Sequence, residues 1–459
     1  MPRLLLVSAS LLSIALAASA ADWPQWMGPQ RDGIWSETGI RKDFKKGKPK
    51  ERWRVPVGGG YAGPAVANGR VYIADKTLNP GAVAPNDPFA PVKLAATERI
   101  LCLDSKSGKE LWKHEYNVVY AVQYPCGPRC APLVHDGKVY SLGAMGHLCC
   151  LDAEKSVNGK GQLIWSREFP AAYGVSVPMW GFAGHPIIYK DLLICLVGGR
   201  SGQNEGSVMA FDKNTGQLRW RAIVCDSPGY NSPVLIESAG TTQLVIWTPK
   251  KLHAIDPATG KKFWSVPLEP KHGMSIMSPR KHGDCVFAAG IGNVGVTVKL
   301  DPKDPTKVAE VWRGKGGPTA KDGVYPVNMT PFVEAGVIYA ADQPGMFRAV
   351  DLKTGRRLWE SFEPIFGKNV PPGFTAPCGT AFIVKNSANG RFYTFSETGD
   401  LAIGKFTPEG YTEAGRIHLL DPTCTALNGR KAVWSHPAFA EGCIFARNDK
   451  QAICVPLGE

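Results

Sequence analysis

Nine histidines, twelve cysteines and 40 acidic residues are spread over 459 positions, and their spacing excludes more chemistry than it offers. The histidines are scattered, without the His-Glu-x-x-His spacing that sets two imidazoles on one helix face around a zinc ion, so no metal site is expected. No Gly-x-Ser-x-Gly elbow presents a serine nucleophile. Gly290-Ile-Gly-Asn-Val-Gly295 has the glycine spacing of a dinucleotide-binding turn. It leads into the strand-like run 296–300 rather than into a helix N-terminus that could hold a phosphate, so it reads as a β-turn. Cys126 and Cys130 lie in a Pro/Gly loop, CGPRC, where a disulfide fits the spacing although pairing is not derivable from sequence. Cys102, Cys149, Cys150, Cys195, Cys285, Cys443 and Cys454 fall in apolar strand-like runs and read as small buried hydrophobes.

One polar constellation remains. The motifs GPRC, GHP, YNSP, MSP, VNMTP, FTAP and WSHP each stand ahead of an apolar run, and none contains a carboxylate; Asp226 is the nearest. Arg129, His185, Tyr230, Asn231, Ser232, Ser278, Asn328, Thr330 and His436 would therefore open a series of strands. If those strands are neighbours, the residues ring the mouth of one channel, a set suited to a small anionic or peptide ligand with Arg129 as charge anchor. The alternative is that they satisfy backbone groups and waters in a funnel.

Strands can converge in this way only if the chain repeats, and it does. Asp104/Trp112, Asp152/Trp165, Asp212/Trp220, Asp256/Trp264, Asp301/Trp312 and Asp351/Trp359 recur at about 45-residue intervals, four of them as DSKSGKELW, DKNTGQLRW, DPATGKKFW and DLKTGRRLW. Asp-x-x-(Ser/Thr)-Gly is turn chemistry, with the carboxylate accepting backbone N–H groups and the glycine supplying a positive φ. Each turn joins two strands, and a Pro, an apolar pair, a tight turn and an apolar run upstream supply two more. Front halves begin near Pro64, Pro132, Pro186, Pro233, Pro279, Pro331, Pro377 and Pro437. Back halves carry the six tryptophans and a diverged seventh, SETGD, without one. The last front half lacks a back half, and the strand near Trp53 lacks a front half. The expected fold is all-β, an eight-bladed β-propeller of four-stranded blades whose ring the N-terminal strand closes, which also removes open sheet edges. Trp53, Trp112, Trp165, Trp220, Trp264, Trp312 and Trp359 are expected to dock blade on blade.

The Asp-x-x-Thr-Gly-x-x-x-Trp repeats resemble those of the pyrroloquinoline-quinone-like propeller superfamily, from about Trp53 to Leu457. DWPQWMGPQRDGIWSETG and WSHPAFAEGCIFARNDKQAICVPL also resemble its uncharacterised secreted members. That superfamily holds both quinoprotein alcohol dehydrogenases and the non-enzymatic outer-membrane assembly factor BamB, so it implies a fold more sharply than an activity. A dehydrogenase reading would imply the quinone, a Ca²⁺ ion on carboxylate and amide oxygens, and an aspartate base. The strand openings supply no carboxylate, and no Cys-x-x-Cys-His haem motif is present. Such enzymes also carry an adjacent-cysteine disulfide over the cofactor; here Cys149-Cys150 is in register with other strands, where successive side chains point to opposite faces.

Residues 1–20 combine Arg3, the apolar run 4–17 and Ala18-Ser19-Ala20, the pattern of a signal peptide cut near Ala20. No other run is long and apolar enough to span a bilayer. The expected organisation is signal peptide 1–20, an extended segment and basic linker 21–50, and the propeller 51–459, soluble in a periplasm or outside the cell. About half of the net charge of +13 lies in the stretch 41–54, which weakens a nucleic-acid reading. That stretch reads as a solvated linker or as a contact for anionic envelope polymers. Insertions collect at 76–98, 114–127, 168–183, 200–206, 313–327 and 360–375 on one face, where binding usually resides. The reading that follows is an exported scaffold for envelope proteins or peptides, without a cofactor. The alternatives are a quinone- and Ca²⁺-dependent dehydrogenase, or a carbohydrate binder using Trp180 and Tyr230.

Overall fold

The computed structural model describes residues 21–90, 93–199, 206–314, 322–426 and 429–459; the expected signal peptide lies outside them. Each repeat folds at its Asp turn. Asp104 Oδ1 accepts the Ser107 amide at 2.8 Å and the Ser107 hydroxyl at 2.6 Å, and Asp351 Oδ1 accepts the Thr354 amide at 2.8 Å and its hydroxyl at 2.8 Å. These turns tie Leu94–Asp104 to Glu110–Tyr120 and Phe347–Asp351 to Arg357–Ser361. Next to Trp112, Trp220, Trp264, Trp312 and Trp359 the ladder slips by one residue, a bulge that adds twist.

Five sheets among the described residues are four-stranded and antiparallel. An eight-stranded sheet is two further antiparallel four-strand runs, Ala65–Ala67 to Glu110–Tyr120 and Leu133–His135 to Lys160–Glu168, joined edge to edge by the parallel pair Lys160↔Lys113. The five-stranded sheet is the unit of the diverged repeat, with Ile34–Trp35 added in parallel on the free edge of Ala381–Asn386. Trp53–Pro56 pairs with Gln451–Pro456, Trp53 opposite Cys454, so the strand without a front half completes the sheet without a back half.

Between sheets the tryptophans pack on glycines of a neighbouring repeat. A Cβ on Gly108 would come within 2.8 Å of the Trp53 ring, on Gly161 within 2.6 Å of Trp112, on Gly216 within 2.6 Å of Trp165 and on Gly260 within 2.9 Å of Trp220. Gly355 stands in the same relation to Trp312. The repeat DPKDPTK lacks the glycine, and there Trp264 Nε1 donates instead to Gln243 Oε1 at 2.9 Å, while the Gln243 amide reaches Pro305 O at 3.2 Å. Trp359 Nε1 donates to Thr407 O at 2.8 Å across to the diverged sheet.

Two of the expected insertion loops, 76–98 and 114–127, are strand in part. Arg70–Leu78, Leu94–Asp104 and Glu110–Tyr120 run on as a long hairpin, because Leu94, Ala96, Val118 and Tyr120 bury one face against Val122, Ala144 and Met145. Inside it the buried Glu98 carboxylate takes the hydroxyls of Tyr116 and Tyr120 and the Ala144 amide. Cys149 and Cys150 lie within the strand His147–Val157, and the turn 291–293 joins Cys285–Gly290 to Val294–Leu300, so the dinucleotide-like glycines form a hairpin turn.

Candidate functional site

Residues 22–40 form a strap across the inner edges of the sheets. Trp23 exchanges both backbone hydrogen bonds with Val66 at 2.8 and 2.9 Å, Pro24 O accepts the Val134 amide at 2.8 Å, and Gly33 O accepts the Lys385 amide at 2.9 Å. Arg31 is the clamp. Its buried guanidinium donates to the carbonyls of Pro186, of Pro233 at 3.2 Å and of His185 at 3.4 Å, and burial pushes its pKa down to about 9. Arg280 holds the strap from the other side through Arg31 O at 2.9 Å and Asp32 O at 3.0 Å.

The strap separates two hollows. One, of about 720 Å³, opens among tight turns and is lined by Gln25, Gln30, His135, Asp136, Lys190 and Lys281. The other, of about 590 Å³, opens on the side of the longer loops, with Trp26 and Met27 of the strap in its wall. Arg129, His185, Tyr230, Ser232, Asn328, Thr330 and His436 all line this cavity. Asn231, expected beside them, does not: it is fully buried, taking the Trp247 amide on Oδ1 at 3.2 Å and donating to Trp247 O. Ser278 is likewise turned to the backbone, donating to Ser232 O at 2.7 Å, while its amide is capped by Thr330 Oγ1 at 3.0 Å.

The roles differ from those expected of a polar funnel. Arg129 is no open charge anchor, because its donors go to the carbonyls of Trp180 at 2.8 Å, Tyr124 at 2.7 Å, Gln123 at 3.1 Å and Gly127, with the guanidinium 5.1 Å above the Tyr61 ring. It organises the rim. His185 Nδ1 meets Ser232 Oγ at 2.8 Å with its ring stacked 5.0 Å from Trp26, and burial beside Arg31 holds its pKa well below the usual value. His436 Nδ1 donates to Pro437 O at 2.7 Å, which leaves Nε2 as the acceptor, and burial pushes its pKa down to about 4. Both imidazoles are neutral at pH 7. Tyr230 is buried edge-on to Trp180 at 5.4 Å, its phenol pushed up to about 12, so it is not an exposed stacking platform.

What the polar candidates frame is apolar. Tyr61, Phe89, Tyr124, Trp180, Phe382 and Trp434, with Met179, Met274 and Met329, stand in the wall, and among the described residues no Asp or Glu lines it. Sequence reasoning named Trp180 but missed the other aromatics, and it read 21–50 as an extended segment without placing it in the cavity wall. The available signal was Tyr61 and Trp434 standing just ahead of strand openings, as Tyr230 does, and two tryptophans in DWPQWMGP.

A quinone with Ca²⁺ does not fit the described donor set, since among the described residues the wall offers no carboxylate for the ion or for a base. Among the described residues no group of three His, Cys, Asp or Glu side chains is placed to hold a metal ion. Cys126 and Cys130 are separate thiols rather than a bridge. Cys126 Sγ donates to Asp449 Oδ1 at 3.0 Å, while Cys130 is buried against Phe182 O and Arg31. Away from the cavity, Phe44 and Pro49 are buried and pin the basic stretch, leaving Lys42, Lys45, Lys46, Lys48, Lys50, Arg52 and Arg54 exposed. Among the described residues no helix is long and apolar enough to cross a membrane.

Sheet order, turn chemistry and indole-on-glycine packing define an all-β repeat protein built around an aromatic cavity. A family model described as outer membrane protein assembly factor BamB matches residues 96–361 and 250–457, and the chain belongs to this family of PQQ-like repeat propellers. It is 32% identical over 158 residues to quinohemoprotein alcohol dehydrogenase ADH IIB of Pseudomonas putida, covering 32% of this chain and 21% of that one. It is 24% identical over 236 residues to the outer membrane protein assembly factor BamB of Moranella endobia (strain PCIT), 50% of this chain and 56% of that one. The chain thus spans a fifth and about half of the lengths of these two curated relatives. The crystal structure of BamB from Moraxella catarrhalis superposes with a TM-score of 0.54 at 13% identity, covering 88% of this chain and 99% of that one, a likeness of fold.

Proposed function

We propose that the protein is an exported, non-enzymatic scaffold of the cell envelope, working in a periplasm or outside the cell. Its sheets form a closed eight-bladed ring whose last blade is completed by Trp53–Pro56. Residues 1–20 are removed, 21–50 form the strap and basic linker, and 51–459 form the propeller. Its loop-rich face holds a partner protein or peptide by an apolar or aromatic side chain inserted into the cavity. The family match to an assembly factor supports the envelope setting.

The observation that carries this reading is the lining: aromatic rings and methionine side chains, the neutral His185 and His436, and no carboxylate among the described residues. Large rigid aromatics around a concave site give contact area at small entropic cost, and methionine adapts to varied side chains. Proton abstraction with a bound cation would need carboxylates, and the described wall residues include none. A glycan platform would need open rings, and Tyr230 is packed against Trp180.

A photocrosslinking side chain at Met179, which is exposed at the rim, tests it against the same probe at Lys281 on the opposite hollow. In intact cells the Met179 probe is expected to give discrete adducts with envelope proteins and the Lys281 probe none. Equal adducts from both positions sink the reading.

A further inference from the structure

Ala21 is the first residue after the expected cleavage motif Ala18-Ser19-Ala20, and its backbone nitrogen donates to Glu37 Oε1 at 2.9 Å. The other oxygen of that carboxylate is already in use: Glu37 Oε2 accepts Trp35 Nε1 at 2.8 Å and the Gly442 amide at 2.7 Å. The Glu37 backbone is fixed as well, since its carbonyl accepts Asn386 Nδ2 at 2.8 Å. Glu37 is half-buried and bridges the end of the strap to two sheets, the one containing Asn386 and the one whose turn holds Gly442. A carboxylate oriented on three sides with one oxygen facing a chain nitrogen is a receptor for a cation at that nitrogen.

We propose that Glu37 is the binding site of the mature amino terminus, so that removal of the signal peptide locks the strap. Resting on the export reading, the step is hydrolysis: water adds across the amide between Ala20 and Ala21, leaving a carboxylate on Ala20 and an α-ammonium on Ala21. The uncut chain offers Glu37 one neutral N–H. The cut chain offers a charged donor, protonated at neutral pH because an α-amine titrates near 8, and charge-assisted hydrogen bonds are about twice as strong as neutral ones. Between this latch and the Ile34–Trp35 pairing lie Trp26 and Met27, the strap's share of the cavity wall. Processing thereby completes the binding cavity after export and leaves the strap less firmly held before it.

The test compares the chain starting at a free Ala21, released from a fusion cut immediately before it, with the same chain N-acetylated, each with and without Glu37→Gln. Acetylation removes the charge and keeps an N–H. Protease cleavage within residues 21–40 is expected to be several-fold slower for the free amine than for the acetylated chain, and Glu37→Gln is expected to erase the difference. Equal rates, or a difference that survives Glu37→Gln, overturn the latch. The N-terminal mass of the protein recovered from the envelope is expected to begin at Ala21. A start at Met1 overturns both the latch and the export reading, whereas another cut site, or a start at Ala21 with no effect of the amine, overturns the latch alone.

Discussion

Trp53 packs against Gly108 so closely that a Cβ added there would sit 2.8 Å from the indole, and its Nε1 donates to Ser105 O at 2.8 Å. Trp53 belongs to the sheet of the C-terminal strands and Gly108 to the first Asp turn, so this contact packs that sheet against the first Asp turn. Gly108 has φ +72, so alanine there meets backbone strain as well as the ring. Gly108→Ala is expected to cost about 1–3 kcal/mol and Trp53→Ala about 3–5 kcal/mol in urea unfolding. Because both break one contact, the double variant should lose clearly less than the sum; full additivity would mean that the two do not share it.

Arg129 is expected to behave as a structural rim residue. Arg129→Lys cannot reproduce four directed bonds to Gln123, Tyr124, Gly127 and Trp180, and should lower stability by about 2–4 kcal/mol. Protease sensitivity of the rim loops should rise with it. A fully stable Arg129→Lys protein that had merely lost affinity for small anions would restore the charge-anchor role.

Stability should fall on mild acidification. His436 and His253 titrate near 4 in the fold against about 6.5 unfolded, and His185 is also lowered. Between those values the unfolded chain binds more protons, so stability rises with pH across 4 to 6.5 and is lost as pH falls, by at most about 3 kcal/mol for each histidine. Urea midpoints at pH 5 and pH 7 check this. His436→Gln should flatten the slope, and an unchanged slope would remove His436 from the account.

The quinone makes a sharp negative control. With no carboxylate among the described residues of the cavity wall, adding pyrroloquinoline quinone and Ca²⁺ should leave Tm unchanged and give no dye-linked alcohol oxidation. A rise of several degrees with oxidation would favour the dehydrogenase reading.

The sequence announced the turns and the positions around the cavity, because both depend on residue type at fixed spacing. Asp104 and Ser107 bond within one turn, and His185, Ser232 and His436 each stand beside a strand opening. Their roles were hidden: a polar side chain at a funnel mouth can face a ligand or a carbonyl, and only the fold shows that Arg129 faces four carbonyls while Asn231 faces Trp247. The hairpin through Lys76 and Glu98 read as a loop because its buried charges find their hydrogen bonds at distant partners, Pro125 O for Lys76 and two tyrosines for Glu98. The strap has no periodicity at all. Its structure comes from the edges it crosses, from Val66 to Lys385.

Filling the cavity tests the central claim most directly. Ala183 lines it and is only half-buried, so Ala183→Trp can occupy the space while the sheets stay intact. With the photocrosslinker at Met179, the account predicts that the envelope-protein adducts disappear in the Ala183→Trp chain while Tm stays within a few degrees of the parent. Undiminished adducts from a folded Ala183→Trp protein would contradict it.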